Sequence, residues 1–269
     1  ITGVTIPQSI TAIGEDAFRG CEKITAVNYN GTIAQWCNIK FASASSNPCR
    51  NGADLYIQGK KITDLNISSK GTSDEVLSIG DYAFTGCGSL RSVTLGDGVT
   101  VIGAEAFRKC ASLENVKLGE NINHIGSGAF SLTPYIAEKG DVDRFGVVYC
   151  GKYLLEAPSE LEGEYTVRDG TKLIGGASFF ECTSLTSITL PAGIQVIDEY
   201  AFYVCVALEE VNMPQSLEYI GRDAFYACIK LEELNFPASL VYIGENGFYG
   251  CTGVKRVKFA EGNKLVTLP

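Results

Sequence analysis

The sequence predicts an α/β repeat fold: a right-handed solenoid with a parallel β-sheet along one face and short helices or 3₁₀ turns along the other. Three observations carry this. A nine-residue string returns with isoleucine, phenylalanine and cysteine at fixed offsets: "IGEDAFRGC" from Ile13, "IGDYAFTGC" from Ile79, "IGAEAFRKC" from Ile102, "IDEYAFYVC" from Ile197, "IGRDAFYAC" from Ile220 and "IGENGFYGC" from Ile243. Cys182, Cys205, Cys228 and Cys251 lie 23 residues apart without a slip. Each copy joins a half with strand periodicity to a half with turn spacing, and neither half buries its apolar face unless copies stack.

The full period reads I-G-x-x-A-F-x-x-C-x-x-L-x-x-V-x-L. Two degenerate copies, "IGSGAFSLT" from Ile125 and "IGGASFFEC" from Ile174, bring the number to eight; they carry Thr133 in the cysteine slot and Ser178 in the alanine slot. In "LRSVTL" (90–95) and "LENVKL" (113–118) the apolar residues alternate at the C-terminal end, which is strand periodicity. Ala17, Phe18, Cys21 and Ile24 recur at helical spacing, so this half is a short helix or a 3₁₀ turn. The glycine after the isoleucine serves one of two ends: a backbone shape other residues resist, or close approach to the neighbouring coil. Together these features place the chain in the leucine-rich-repeat class. Ladder strands counted from Val4 to Leu268 number about eleven, and at roughly 4.8 Å per strand the sheet runs on the order of 50 Å.

The whole chain, 1–269, reads as one solenoid interrupted at about 30–61 and 134–163. In the first insertion, "NGTIAQWCNIKF" (30–41), Thr32 caps a short helix that presents Trp36. A hairpin follows in "ADLYIQGKKITDLNIS" (53–68), turning near Gln58-Gly59, with its second strand rejoining the ladder. The second insertion holds a hairpin in "FGVVYCGKYLLEAP" (145–158), turning at Cys150-Gly151, and then a ladder strand, "GEYTV" (163–167). Loops on a solenoid often carry binding; alternatively both insertions are drifted repeats that keep one strand each.

Composition narrows the function classes. Apolar residues make up 45 %, far from a disordered chain. With 22 Lys plus Arg against 31 Asp plus Glu, the net charge of −9 argues against non-specific binding to nucleic acid or anionic lipid. No run of about 18 apolar residues occurs. The chain begins in mid-pattern without Met, which reads as a fragment or mature form whose signal and anchor, if present, lie outside it.

Of the ten cysteines, seven share the repeat slot and read as buried thiols, because parallel side chains fit the disulfide torsion poorly. A serine at Cys205 is expected to place a hydroxyl in an apolar slot without a partner, and to cost more than an alanine. For Cys37 and Cys49, a bridge and two free thiols are both open. No C-x₂-C zinc pair occurs. The single histidine, His124, sits in the slot that holds Val101, Val196 or Tyr219 elsewhere and reads as incidental. No G-x-S-x-G, phosphate loop or H-E-x-x-H is present. Nothing singles out a carboxylate pair for glycoside hydrolysis. The reading is therefore non-catalytic, with no cofactor and no metal.

The string "SFFECTSLTSITLP" (178–191), with its fixed recurrence, resembles the BspA-like leucine-rich repeats, and the resemblance covers nearly the whole chain. That family occurs in surface proteins of oral and gut bacteria and of trichomonad parasites. The resemblance implies a secreted or cell-surface interaction or adhesion module for a protein or glycan partner. The alternatives are a structural spacer holding another domain away from a surface and, third, a carbohydrate-active enzyme.

Two patterned surfaces are candidates for that partner. The outward positions of the sheet form the row Asn28, Asn66, Thr94, Lys117, Thr166, Thr189, Asn212, Asn235 and Lys258. Directly after the repeat phenylalanine stand Phe180, Tyr203, Tyr226 and Tyr249, where earlier copies have Arg19, Thr85, Arg108 and Ser131. Solenoid stacking turns these four rings into a stripe of large, low-entropy contact area. The bland alternatives are a solvated sheet face and stacking purely for stability. Trp36 is the third candidate.

Overall fold

The computed structural model describes residues 1–67 and 77–267. Contacts divide the chain into two compact units, Ile1–Asp141 and Val142–Pro269, both built from the same coil. Every regular coil has a strand in a long ladder, a strand in a short ladder and a tight-turn segment between.

In the first unit the long ladder comprises Gly3–Ile6, Ala26–Tyr29 and Asp54–Ile57, then Asp64–Ile67, Ser92–Leu95 and Asn115–Leu118. In the second it comprises Glu162–Thr166, Ser184–Thr189 and Glu210–Val211, then Glu233–Phe236 and Arg256–Phe259. Ladder neighbours are parallel throughout, as repeat stacking requires. The described residues hold eleven long-ladder strands; Leu268, where the predicted count ends, lies outside them, and Asp54–Ile57 of the first insertion is a member the period did not predict. In the second unit's short ladder, Ile174, Ile197, Ile220 and Ile243 lie in one register and are all buried.

The turn half is a chain of i→i+3 turns of 3₁₀ type. In the coil from Ile79 the N–H groups of Ala83, Thr85 and Cys87 donate to the carbonyls of Gly80, Tyr82 and Phe84 at 3.2, 3.1 and 3.0 Å. The alternate N–H groups, of Tyr82, Phe84 and Gly86, donate at 2.8 Å to Ala104, Ala106 and Arg108 of the following coil. Such alternation needs left-handed backbone at the fourth and eighth motif positions. Tyr82 and Gly86 have φ of 59° and 70°, and Tyr200 and Val204 have 57° and 59°. A non-glycine residue there costs about 1–2 kcal/mol.

Close approach, not an unusual φ, explains the glycine after the isoleucine. A Cβ on Gly221 would lie 2.4 Å from the Glu199 nitrogen, and one on Gly244 2.4 Å from the Arg222 nitrogen. One coil carries Asp198 in this slot, over Gly175, with its Oδ1 accepting the Glu199 N–H at 2.9 Å.

The core is a set of columns one residue wide. Phe84, Phe107 and Phe130 stack at 5.3 and 5.2 Å in the first unit. Phe179, Phe202, Phe225 and Phe248 stack at 4.9, 4.9 and 5.0 Å in the second. Beside them runs the cysteine column, whose thiols are all free. In the stacked coils the thiols find carbonyls of the preceding coil: Cys205 Sγ donates to the Phe179 carbonyl at 3.1 Å, and Cys228 and Cys251 reach Phe202 and Phe225 at 3.2 and 3.1 Å. The expectation of a partnerless apolar slot is therefore corrected. Thr133 already places a hydroxyl there, fully buried and donating to the Phe130 carbonyl at 2.7 Å.

The first insertion is an enlarged coil. Thr32 caps the helix Ile33–Cys37 in a reciprocal capping box with Gln35, as its sequence predicts. Trp36, however, is not presented to solvent. It is fully buried between Tyr29 and Phe41, with ring centroids 5.2 and 5.5 Å away, and its indole N–H donates to the Ala83 carbonyl at 2.8 Å. Asn47 Nδ2 donates to the same Ala83 carbonyl at 3.0 Å, so two side chains stand in for the backbone N–H that a regular preceding coil gives to this position. Cys37 and Cys49 are both free, and Cys49 packs beside Cys87, in the repeat slot. The hairpin turns at Gln58-Gly59, as expected, with φ of 50° and 75°. Its first strand, Asp54–Ile57, is itself a ladder member; the return is Lys60–Lys61, and Asp64–Ile67 then continues the ladder. Ser68 lies outside the described residues.

The second hairpin pairs Val148–Cys150 with Tyr153–Glu156, so its turn is Gly151-Lys152, one residue later than expected. Tyr153–Glu156 joins the short ladder, and Glu162–Thr166 joins the long one, as expected. A buried polar chain locks this start of the second unit. Tyr149 and Tyr165 share a 2.6 Å hydrogen bond, and the Tyr165 hydroxyl donates to Asp143 Oδ2 at 2.7 Å.

The thiol column has a testable consequence. Cys205→Ser keeps a donor for the Phe179 carbonyl, whereas Cys205→Ala removes it and opens a void, so alanine is expected to cost about 1–2 kcal/mol and serine less. Urea unfolding of the two variants checks the order. Burial pushes the Cys37 and Cys182 thiols up to about 12. An unfolded thiol ionises near about 8.5, so this stabilisation is complete below that pH and fades as pH rises towards 12.

Candidate interaction surface

The second unit carries both surfaces that contain the candidate residues Phe180, Tyr203, Tyr226, Tyr249, Asn212, Asn235 and Lys258. The four rings do form a ladder. Centroids of Phe180–Tyr203, Tyr203–Tyr226 and Tyr226–Tyr249 are 5.0, 4.8 and 5.1 Å apart, with planes inclined by 6°, 16° and 18°. The cause is local: the N–H of Val204 donates to the Tyr226 carbonyl and that of Ala227 to the Tyr249 carbonyl, which fixes each ring over the last. The ends are the most open, with Phe180 41 % and Tyr249 60 % exposed, while Tyr203 and Tyr226 are half-buried. Tyr200 meets Tyr203 edge-on at 5.7 Å, and Arg222 hydrogen-bonds the Tyr200 hydroxyl and lies over its ring at 5.5 Å.

On the sheet face the outward row is in register: Asn66–Thr94–Lys117, Thr166–Thr189 and Asn235–Lys258 are direct ladder partners. Asn235 and Lys258 are exposed. Asn212 is exposed as well, but its amide is committed to the fold. Its Oδ1 accepts the Leu190 N–H at 2.6 Å and its Nδ2 donates to the Leu190 carbonyl at 2.8 Å. The strand at Glu210–Val211 has only two residues, and Asn212 extends its pairing by a side chain.

Around this row Glu209, Glu210, Glu232 and Glu233 border a recess of about 470 Å³. Three of these carboxylates are paired, Glu209 with Lys230 at 3.1 Å, Glu232 with Lys255 at 2.5 Å, and Glu233 with Arg256. The Lys255 ammonium holds the Glu232 carboxyl below its ordinary value.

Trp36 belongs to the core and to neither surface. His124 pairs with Val101 in the short ladder. Among the described residues no group of three or more His, Cys, Asp or Glu side chains is placed to hold a metal ion, and no helix is long and apolar enough to cross a membrane. The sequence reading missed a second stack: Tyr219 and Tyr242 lie 4.8 Å apart with planes inclined by 9°. Its signal was available, since the two tyrosines are 23 residues apart in the slot before the isoleucine.

Asn212 and Asn235 therefore separate. Asn212→Ala is expected to lose about 1–2 kcal/mol of stability through two broken hydrogen bonds, whereas Asn235→Ala stays within about 0.5 kcal/mol. Thermal or urea unfolding of the two variants checks this.

The family model described as the BspA-type leucine-rich-repeat region matches in six copies, over residues 1–51, 52–138 and 163–267. No curated protein sequence matches significantly. Among solved structures, the chain is similar to a leucine-rich cell-surface protein of Faecalibacterium prausnitzii, with 21 % identity and a TM-score of 0.40, covering 97 % of this chain and 79 % of that one. It is also similar to the pneumococcal vaccine antigen PcpA, with 21 % identity and a TM-score of 0.46, covering 97 % and 62 %. A leucine-rich-repeat protein of Eubacterium ventriosum gives 20 % identity, a TM-score of 0.42, and coverage of 96 % and 72 %. With the family model spanning most of the chain, the protein belongs to the BspA-type leucine-rich-repeat family.

Proposed function

We propose that residues 1–269 act as a non-catalytic interaction or adhesion module, secreted or displayed at a cell surface, whose docking surface is the aromatic ladder of the second unit. The observation that carries this reading is the ladder's confinement. Four stacked, partly exposed rings occupy a slot that in the first unit holds Arg19, Thr85, Arg108 and Ser131. Stability does not demand aromatic residues in that slot, since the first unit stacks its coils without them. Partly exposed tyrosine is favoured at interfaces because it offers much contact area for little lost rotamer entropy. The sheet-face row around Asn235 and Lys258 is the second candidate, weakened by the structural commitment of Asn212.

A structural spacer is the alternative, favoured by the half-burial of Tyr203 and Tyr226: rings that cover one another also stabilise the stack. The triple variant Tyr203→Ser, Tyr226→Ser, Tyr249→Ser separates the two readings. With labelled protein on cultured cell surfaces, the docking reading expects at least a tenfold loss of binding with little change in melting temperature. An early melt, or undiminished binding by a stable variant, would overturn it.

A further inference from the structure

Apart from any docking role, the ladder holds phenols in a geometry suited to covalent chemistry. Tyr203, Tyr226 and Tyr249 are 23 residues apart in sequence, yet their ring centroids are 4.8 and 5.1 Å apart, with planes inclined by 16° and 18°. Carbon atoms in van der Waals contact lie about 3.5–4 Å apart, so each pair is close to contact in the offset stack that aromatic rings prefer. A phenol that loses one electron and its proton becomes a tyrosyl radical, with unpaired density on the ring carbons ortho to the oxygen. Two such radicals couple by a carbon–carbon bond between ortho positions. What limits the reaction between free tyrosines is encounter before quenching, and the coil register supplies that encounter in advance. The Val204 N–H donates to the Tyr226 carbonyl at 2.8 Å and the Ala227 N–H to the Tyr249 carbonyl at 2.7 Å, which fixes the backbone beneath each ring.

The tyrosine pairs are not equivalent. Coupling requires the ortho carbons to close from contact to bonding distance, which takes side-chain rotation about χ1 and χ2. Tyr249 is 60 % exposed and stacks on a single ring, so it has room to turn. Tyr203 is held between Phe180 and Tyr226, at 5.0 and 4.8 Å, and meets Tyr200 edge-on at 5.7 Å. The second column, Tyr219 and Tyr242, has the same 4.8 Å spacing and is better aligned, at 9°. There burial, and after it the Asp198 carboxylate, push the Tyr219 phenol up to about 12. Such a phenol gives up its proton less readily as it is oxidised. Tyr226–Tyr249 is thus the pair that combines close stacking, an accessible ring and freedom to rotate. Phe180 shows that a ring without a hydroxyl keeps its place in the column, so phenylalanine is a conservative replacement there.

We propose that Tyr226 and Tyr249 form an oxidative modification site, cross-linked to dityrosine by a haem peroxidase with hydrogen peroxide, so that one bond staples two successive coils. Each phenol loses one electron and one proton, the two ortho carbons join, and the two ortho hydrogens shift to the oxygens to restore both phenols. Peroxide takes up the two electrons and two protons and leaves as two water molecules. The test treats the whole chain, dilute, with a haem peroxidase and peroxide, isolates the monomer and digests it with trypsin. Cleavage after Lys172, Arg222, Lys230 and Lys255 places Tyr226 alone on peptide 223–230, Tyr242 and Tyr249 on 231–255, and Tyr200, Tyr203 and Tyr219 on 173–222. The expected result is dityrosine fluorescence in the monomer and a link between 223–230 and 231–255, lighter by two hydrogens than the separate peptides. It is at least tenfold more abundant than a link between 173–222 and 231–255, which reports the Tyr219–Tyr242 column. Tyr226→Phe and Tyr249→Phe each abolish it with the melting temperature unchanged. An oxidised monomer without this link, a link that survives Tyr249→Phe, or cross-links formed only between molecules would overturn the proposal.

Discussion

The structure depends on one constraint, the alternation of hydrogen-bond direction in the nine-residue turn segment. Every second N–H closes a local turn, and the others cross to the next coil. Two left-handed residues per coil make this possible. Their cost, about 1–2 kcal/mol each where the residue is not glycine, is similar to the gain from three inter-coil bonds at about 1 kcal/mol each. The backbone arrangement is thus close to neutral. What makes it favourable is the apolar set it brings inside, the stacked phenylalanines with the leucine and isoleucine slots around them. Hydrogen bonding sets the geometry and burial supplies the stability.

Because each coil is locked to the next in one register, any side chain chosen for an outward slot becomes part of a column with a spacing near 5 Å. Phenylalanine and cysteine columns fill the interior. An outward column is free to change along the chain, and here the slot after the phenylalanine changes from arginine, threonine and serine to aromatic rings. The binding surface proposed above needs no special loop or pocket; it is a repeated residue choice displayed by the ladder. The same lock shapes its chemistry, since it holds neighbouring phenols face to face at this spacing.

Much of this was legible in the residues. The 23-residue period gave the solenoid, its parallel ladders and the interior columns, because side-chain identity at a fixed offset is what stacking selects. The stripe at Phe180, Tyr203, Tyr226 and Tyr249 followed from the same periodicity. Hydrogen bonds that cross between coils left no such trace. Nothing in the spacing of Cys205 announces that the carbonyl it meets belongs to Phe179, 26 residues earlier. Nor does the sequence around Asn212 reveal that its amide completes a shortened strand. Trp36 was misplaced for a related reason: a capped amphipathic helix in an insertion looks like a display element. In the structure that helix replaces part of a coil and must fill the interior where regular repeats are missing.

The most direct test of the alternating inter-coil bonds is residue-resolved amide hydrogen exchange. Tyr200, Phe202 and Val204, which donate to Arg222, Ala224 and Tyr226 at 2.9, 2.7 and 2.8 Å, are expected to exchange only through opening on the scale of global unfolding. Their amides would face water if the segment were an isolated surface turn. Exchange at rates typical of exposed loops would contradict the account, because the coils would then be held together by side-chain packing alone.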